Sequence, residues 1–340
     1  MDHSIRSDLE ALLEQLNGDQ LRSKKVAVTG GAGFIGSWLC DILVSSGSLV
    51  DCVDNLCTGL KQNIEHLLKT SNFRFHDSDV EDSRPGNDMY DLILHFASRA
   101  SPEEYQQHPI ETLTANSQGT QNMLELARRN DACVVYASTS EVYGDAQIIP
   151  TPETYWGNVN PVGPRSCYDE GKRFGEALCM AYHRAHSMDV RIVRIFNTYG
   201  PRLRSDGFYG RALSRFIDQA LSQRDITVCG KGDQTRSFCY VTDTVKAILL
   251  AAIRKEMKGQ GVNIGNPYEV SILELAEKIR AIADSRSKIT FHPKPPDDPQ
   301  RRCPDISKAK EVLGWSPTVT LEEGLERTIG WFRQRGKLAG

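Results

Sequence analysis

The segment from Lys24 to Ser45 constrains the fold more than any other part of the chain. A short apolar run, KKVAVT, passes directly into Gly30-Gly31-Ala32-Gly33-Phe34-Ile35-Gly36, and the pattern is helical from Ser37 to Ser45. Glycines at 30, 33 and 36 permit a tight turn, close approach of the backbone to a pyrophosphate, and close helix packing. A helix leaving such a turn aims its free N-terminal N–H groups at phosphate. A second apolar run, Leu49 to Val53, ends in Asp54. An acidic residue there holds an adenosine ribose 2′-hydroxyl and repels a 2′-phosphate, which argues for NAD over NADP.

Strands and helices alternate beyond this unit. Phe73 to His76 leads to Asp77-Ser78-Asp79-Val80, where Asp79 is placed to receive an adenine amino group. Asp91 to Phe96 is a fourth buried strand, running into Ala97-Ser98 beneath the cofactor. A helical pattern from Ile110 to Arg128 bridges to a strand at Cys133 to Ala137, and Val190 to Phe196 forms another. This alternation predicts right-handed βαβ units in a Rossmann-type, doubly wound parallel sheet, an α/β fold. Past residue 200 the alternation fades and arginine becomes frequent. The expected division is an N-terminal helical extension (1–23), a mainly dinucleotide-binding domain (24–200) and a smaller C-terminal α/β domain, mainly for substrate (201–340), with elements free to interleave. Leu9, Leu12, Leu13 and Leu16 share one helical face behind a Ser7 cap. Leu273 to Ala283 and Leu321 to Arg333 read as helices, and 294–299 as a loop.

Chemistry concentrates between Ala137 and Arg173. Thr139 and Glu141 end a strand, and the carboxyl ends of open α/β sheets bind ligands. Tyr168 and Lys172 are four apart, and about 400° of helical rotation puts them on one face. A lysine ammonium favours the phenolate of a neighbouring tyrosine, making it a general base toward a hydroxyl near neutral pH. Only one of the eleven tyrosines has a lysine at this spacing. Further on, Arg202, Arg204, Arg211, Arg215 and Arg236 offer forked phosphate donors, of which two or three should touch ligand.

The net charge of −3, without long basic or acidic runs, points away from nucleic acid and membrane surfaces. No apolar stretch approaches the roughly 18 residues of a membrane span. Nine scattered cysteines without a C-x-x-C pair argue against a disulfide framework and a zinc site. No metal is expected, and a reducing, cytoplasmic setting fits.

These residues resemble a known family. TGGAGFIG, Asp54, the STSEVYG segment and Tyr168-x-x-x-Lys172 resemble the extended short-chain dehydrogenase/reductases that act on nucleotide sugars. Within that group VNPVGPRSCYDEGKR (159–173), RIFNTYGPR, GDQTRSFCYV and DDPQRRCPDI look like the UDP-glucuronic acid decarboxylases, from about Lys24 to Arg333. A hexose 4,6-dehydratase would show Asp-Glu after the threonine, where this chain has Ser140-Glu141.

The resemblance implies a site. Gly30, Gly33, Phe34, Ile35, Gly36, Asp54, Asn55, Thr58, Asp79, Val80, Phe96, Ala97, Ser98, Tyr168, Lys172 and Thr198 would hold NAD. Ser101, Tyr105, Asn197, Arg211 and Arg236 would hold a UDP-sugar. Thr139, Glu141, Tyr168, Lys172 and Arg302 would carry the chemistry, with Arg302 facing the site from the smaller domain. The reaction implied is conversion of UDP-glucuronate to UDP-xylose and CO2 through a 4-keto intermediate. A 4-epimerase, a 4,6-dehydratase, an enzyme releasing the 4-keto pentose, and a non-catalytic NAD sensor remain the alternatives. A homodimer is implied too, built on the 110–128 and 168–185 helices, the second bearing Phe174, Leu178 and Tyr182 as an apolar stripe. Arg99 stands where the family has proline, Cys303 for lysine, Cys229 for an aromatic residue and Arg215 for a small polar one, all four near the sugar-nucleotide by resemblance.

Overall fold

The computed structural model describes residues 3–16, 20–82, 89–205, 212–294 and 299–338. The elements follow in the order α1 (His3–Gln15), β1 (Lys25–Thr29), α2 (Phe34–Ser45), β2 (Leu49–Asp54), β3 (Phe73–Asp77), β4 (Leu92–His95), α3 (Pro102–Gln107), α4 (Pro109–Thr114), α5 (Thr120–Asn130), β5 (Cys133–Thr139) and α6 (Ser166–His186). Then come β6 (Val190–Ile195), β7 (Thr198–Tyr199), α7 (Ala212–Leu221), β8 (Ile226–Cys229), β9 (Thr235–Ser237), β10 (Cys239–Tyr240), α8 (Val241–Ile253), β11 (Gln260–Ile264), β12 (Glu269–Ser271), α9 (Ile272–Ile282), β13 (Ile289–His292), β14 (Arg301–Arg302) and α10 (Leu321–Leu338).

Seven strands form one parallel sheet in the order β11-β6-β5-β4-β1-β2-β3. This is the doubly wound α/β sheet expected, and burial on both faces explains why β1, β4 and β5 read as near-continuous apolar runs. Val26 and Val28 of β1 point into a core shared with Trp38, Leu39 and Ile42 of α2, while Ala27 points into a second core with Met123, Leu124 and Ala127 of α5. Strand order reverses between β1 and β4, so the crevice at their carboxyl ends is where such a sheet receives a ligand. β11 rejoins this sheet from residue 260, whereas the small sheets β12-β9-β14 and β13-β8 lie by α7 and α9, and β10-β7 lies by α8 and α10.

Two local expectations need correction. Helix α1 starts at His3, so Ser7 sits inside it and caps nothing. Ile5 extends the buried stripe of Leu9, Leu12 and Leu16 by one more turn toward the N-terminus. Asp8 then anchors the helix, accepting from Tyr240 Oη at 2.6 Å and Arg327 Nη1 at 2.8 Å. The helix expected from Ile110 to Arg128 is interrupted by a π-type turn at Ala115–Gly119. Side chains compete there for backbone carbonyls: Asn116 Nδ2 donates to Thr112 O at 2.8 Å and Thr120 Oγ1 to Asn116 O at 2.8 Å. No helix among the described residues is long and apolar enough to cross a membrane.

Candidate active site

The turn after β1 has no room for side chains. Gly30 has φ +69°, and a Cβ on it would meet the Phe96 carbonyl carbon at 2.8 Å. A Cβ on Gly36 would come 2.1 Å from Gly30 O. The turn closes through Gly33 N donating to Gly30 O at 3.0 Å, and α2 departs from it. At the end of β2, the Asp54 carboxylate accepts from Ala32 N at 2.9 Å and Leu56 N at 2.8 Å. Burial pushes its carboxyl up, against these N–H groups. Asp79 accepts from Asn55 Nδ2 at 2.7 Å across the same rim. A glycine cradle at a helix N-terminus with an acid at the second strand's end fits a dinucleotide.

The cradle opens into a cleft of about 680 Å³. The residues expected to hold NAD, from Gly30 to Thr198, line it, as do Thr139, Glu141, Ser101, Asn197, Arg236 and Arg302. Two expected residues are placed otherwise or not at all. Tyr105 is 1% exposed and stacks on Tyr168, rings parallel and 5.0 Å apart, so it backs the tyrosine instead of facing the opening. Arg211 lies outside the described residues, as does most of the 294–299 loop.

Tyr168 and Lys172 lie on one buried face of α6, with Lys172 Nζ 6.0 Å from the Tyr168 ring centre and 5.0 Å from that of Tyr136. Lys172 Nζ donates to Ala137 O at 2.9 Å. Burial pushes its ammonium down to about 7, so the charge expected to tune Tyr168 itself titrates near neutrality. Thr139 caps the short turn after β5, its Oγ1 accepting from Glu141 N at 3.3 Å. His95 lies beneath, accepting or donating at Thr29 Oγ1 (2.7 Å) and Thr120 Oγ1 (3.1 Å), and burial pushes it down to about 3, neutral at physiological pH.

Glu141 is clasped by two arginines. Arg302 meets it fork to fork at 2.6 and 2.7 Å, and Arg165 Nη2 donates to its Oε2 at 2.6 Å. Burial alone would raise the carboxyl, but Arg302 and Arg165 outweigh it and hold it at about 2. One turn along α6, burial and the Glu141 charge push Asp169 up to about 7. Arg165 was not singled out in the sequence, although it sits three residues before Tyr168. The only signal was its place in the RSCYDEGKR segment.

The arginines after β6 divide by role. Arg202, with φ +73°, is paired with buried Asp41 at 2.7 Å, and Arg204 Nη1 donates to Thr58 O at 3.0 Å, tying β7's loop to the cofactor side. Arg215 and Cys229 line the cleft side by side, and Arg99 lines it while paired with Glu104. Cys303 does not line it: the side chain is buried, with Sγ donating to Pro267 O at 3.2 Å.

Known proteins resemble this chain throughout. The family model described as GDP-mannose 4,6 dehydratase matches residues 27–328. UDP-glucuronic acid decarboxylase 1 of Xenopus tropicalis is 49% identical over 311 residues, 92% of this chain and 72% of the relative. UDP-glucuronic acid decarboxylase 1 of Arabidopsis thaliana is 49% identical over 311 residues, 92% of this chain and 70% of the relative. Among solved structures, the UDP-glucuronic acid 4-epimerase of Bacillus cereus, in complex with UDP-glucuronic acid and NAD, superposes with a TM-score of 0.82 at 31% identity, covering 92% of this chain and 99% of that one. With half its residues shared with the decarboxylases over nine-tenths of its length, the chain belongs to the UDP-glucuronic acid decarboxylase family of extended short-chain dehydrogenase/reductases.

Proposed function

We propose that this protein converts UDP-glucuronate to UDP-xylose and CO2, with NAD held along the glycine turn. The observation that carries the reading is the pair of Arg302 and Glu141 at the Tyr168 end of the cleft, because it sets a carboxylate-reading fork beside a general base. Bound NAD would supply an acceptor for the C4 hydride and return it at the end of the cycle. Tyr168, as phenolate, takes the C4 hydroxyl proton. Oxidation at C4 makes the sugar a β-keto acid, since the carboxylate hangs on C5. Arg302 orients that carboxylate, and as CO2 leaves, the Tyr168 hydroxyl and Thr139 donate to the enolate oxygen. The enolate takes a proton from solvent water at C5, replacing the lost CO2, and Tyr168 gives its proton back to O4. Asn197, Ser101 and Arg236, which line the cleft, border the nucleotide-sugar.

The test is incubation with UDP-glucuronate, reading both CO2 and the sugar product. UDP-xylose and CO2 are expected; UDP-galacturonate without CO2 would assign a 4-epimerase, and an accumulating 4-keto pentose a truncated cycle. Denaturing the same preparation should release NAD, because a cofactor regenerated in each turnover has no need to leave. Mainly NADP would overturn the role given to Asp54.

A homodimer belongs to the same reading. Ile110 and Leu113 of α4 and Phe174 of α6 are exposed at 75, 44 and 50%, on two helices in contact. Leu178 and Tyr182 pack into their own subunit, so the stripe expected on α6 divides between the core and this patch. The patch is suited to a second copy of the chain. Sedimentation at micromolar concentration should give twice the chain mass, and Phe174→Glu should shift it toward monomer. A wild-type monomer would end the proposal.

A further inference from the structure

Glu141 is held from two sides, and the two holds differ in kind. Arg302, reaching in from β14, spends both terminal nitrogens on the carboxylate, fork to fork. Arg165, placed just before α6, contributes a single Nη2 to Oε2. All three side chains line the cleft, and among the described residues Arg302 Nε has no hydrogen-bond partner. Asp169 Oδ1 and Tyr105 Oη, on the Arg165 side, are also buried without one among the described residues.

On the decarboxylase reading, on which this inference rests, the substrate brings a carboxylate and the product has none. A substrate carboxylate can engage both terminal nitrogens of Arg302, the edge that now holds Glu141, only by taking the place of Glu141. A carboxylate left buried without a partner is strongly unfavourable, so such an exchange needs a second cation that does not move. Arg165 meets that need, because its bond to Oε2 does not depend on Arg302. We propose that Arg165 is a positioning residue: it holds Glu141 in place while the Arg302 fork passes to the substrate carboxylate, and lets Arg302 return once that carboxylate has left. Glu141 thus stands in for the substrate's anion between turnovers. The exchange also favours release of a product that cannot compete for the fork.

The test compares UDP-glucuronate with UDP by calorimetry, all in a Tyr168→Phe background so that no turnover intervenes. Without Arg165, Glu141 clings to its remaining cation and competes with the substrate. Arg165→Gln should therefore weaken UDP-glucuronate by roughly tenfold or more and UDP by no more than about twofold, with Arg165→Lys recovering most of the loss. Glu141→Gln removes the competing anion, so alone it should tighten UDP-glucuronate relative to UDP. Combined with Arg165→Gln it should cancel the loss, a non-additivity that a merely structural Arg165 would not produce. Equal losses for both ligands, additive losses in the double variant, or weaker UDP-glucuronate binding in Glu141→Gln would overturn the proposal. Should Arg165→Gln fail to fold, Glu141→Gln decides alone. CO2 release by the wild-type protein is measured separately. Its absence would strike the decarboxylase reading, whereas CO2 release with an unchanged binding ratio in Arg165→Gln would strike only the exchange.

Discussion

Tyr168→Phe is expected to leave a folded protein that binds UDP normally and releases CO2 from UDP-glucuronate at least ~10³-fold more slowly, the scale of losing a positioned general base. The substitution removes one oxygen and keeps the ring. That ring stacks on Tyr105 and, with Cys167, forms a small buried cluster, so its packing survives. Alternative bases in the vicinity are poorly placed for the role. His95, at the end of β4, has both ring nitrogens engaged by Thr29 and Thr120, and burial pushes it down to about 3, so it is too weak a base. Glu141 is an ion-paired carboxylate, held at about 2 by burial's losing contest with Arg302 and Arg165, and is too weak a base. Lys172 donates to Ala137 O. The measurements are the CO2 rate, the thermal transition and UDP affinity of the variant. Activity within tenfold of wild type would show that some other group deprotonates C4.

Much of the architecture was legible because its causes are local. A run such as KVAVT, buried on both faces, is apolar throughout, and a turn that tolerates no Cβ at Gly30 or Gly36 must be written with glycine. The Tyr168 and Lys172 pair was legible for the same reason, since helix geometry alone brings the two together. What escaped notice depends on partners far along the chain. β11 reads QGVNI, with neither an apolar run nor clean alternation, and it becomes a strand by pairing with β6 in register. The strands β7, β10 and β14 have two residues each, too short to show a period. Arg202 lines the cleft, but its Nη2 also pairs with Asp41, 161 positions away, a partner that no local pattern announces. The π-type turn at Ala115–Gly119 was hidden because each of its residues tolerates a helix; only their side-chain bonds to carbonyls break the ladder.

Arg302 and its neighbour Arg301 offer the sharper contrast, because they are adjacent in sequence and opposite in environment. β14 pairs with β9, Arg301 opposite Thr235 and Arg302 opposite Arg236. Successive side chains of a strand point to opposite faces. Arg301 accordingly faces out and pairs with Glu269, its side chain 52% exposed, whereas Arg302 is 8% exposed in the cleft and clasps Glu141. Exposed pairs of the first kind contribute about 0–1 kcal/mol, so Arg301→Ala should change kcat and UDP affinity by no more than roughly twofold. Arg302→Ala removes the fork expected to orient the substrate carboxylate. A misplaced reacting group costs ~10²-fold or more, so kcat should fall by ~10² to 10³ while UDP, which has no carboxylate, binds within about threefold of wild type. Loss of Arg302 also strips Glu141 of one cation, but Arg165 remains on its Oε2 and keeps the charge paired. The fold should therefore survive, which a thermal transition for each variant will establish. Arg302→Lys retains a charge but not a planar fork, so it should recover little turnover. If Arg301→Ala and Arg302→Ala behave alike, or if Arg302→Ala weakens UDP while sparing kcat, then Arg302 serves the nucleotide end of the substrate and another group must meet its carboxylate.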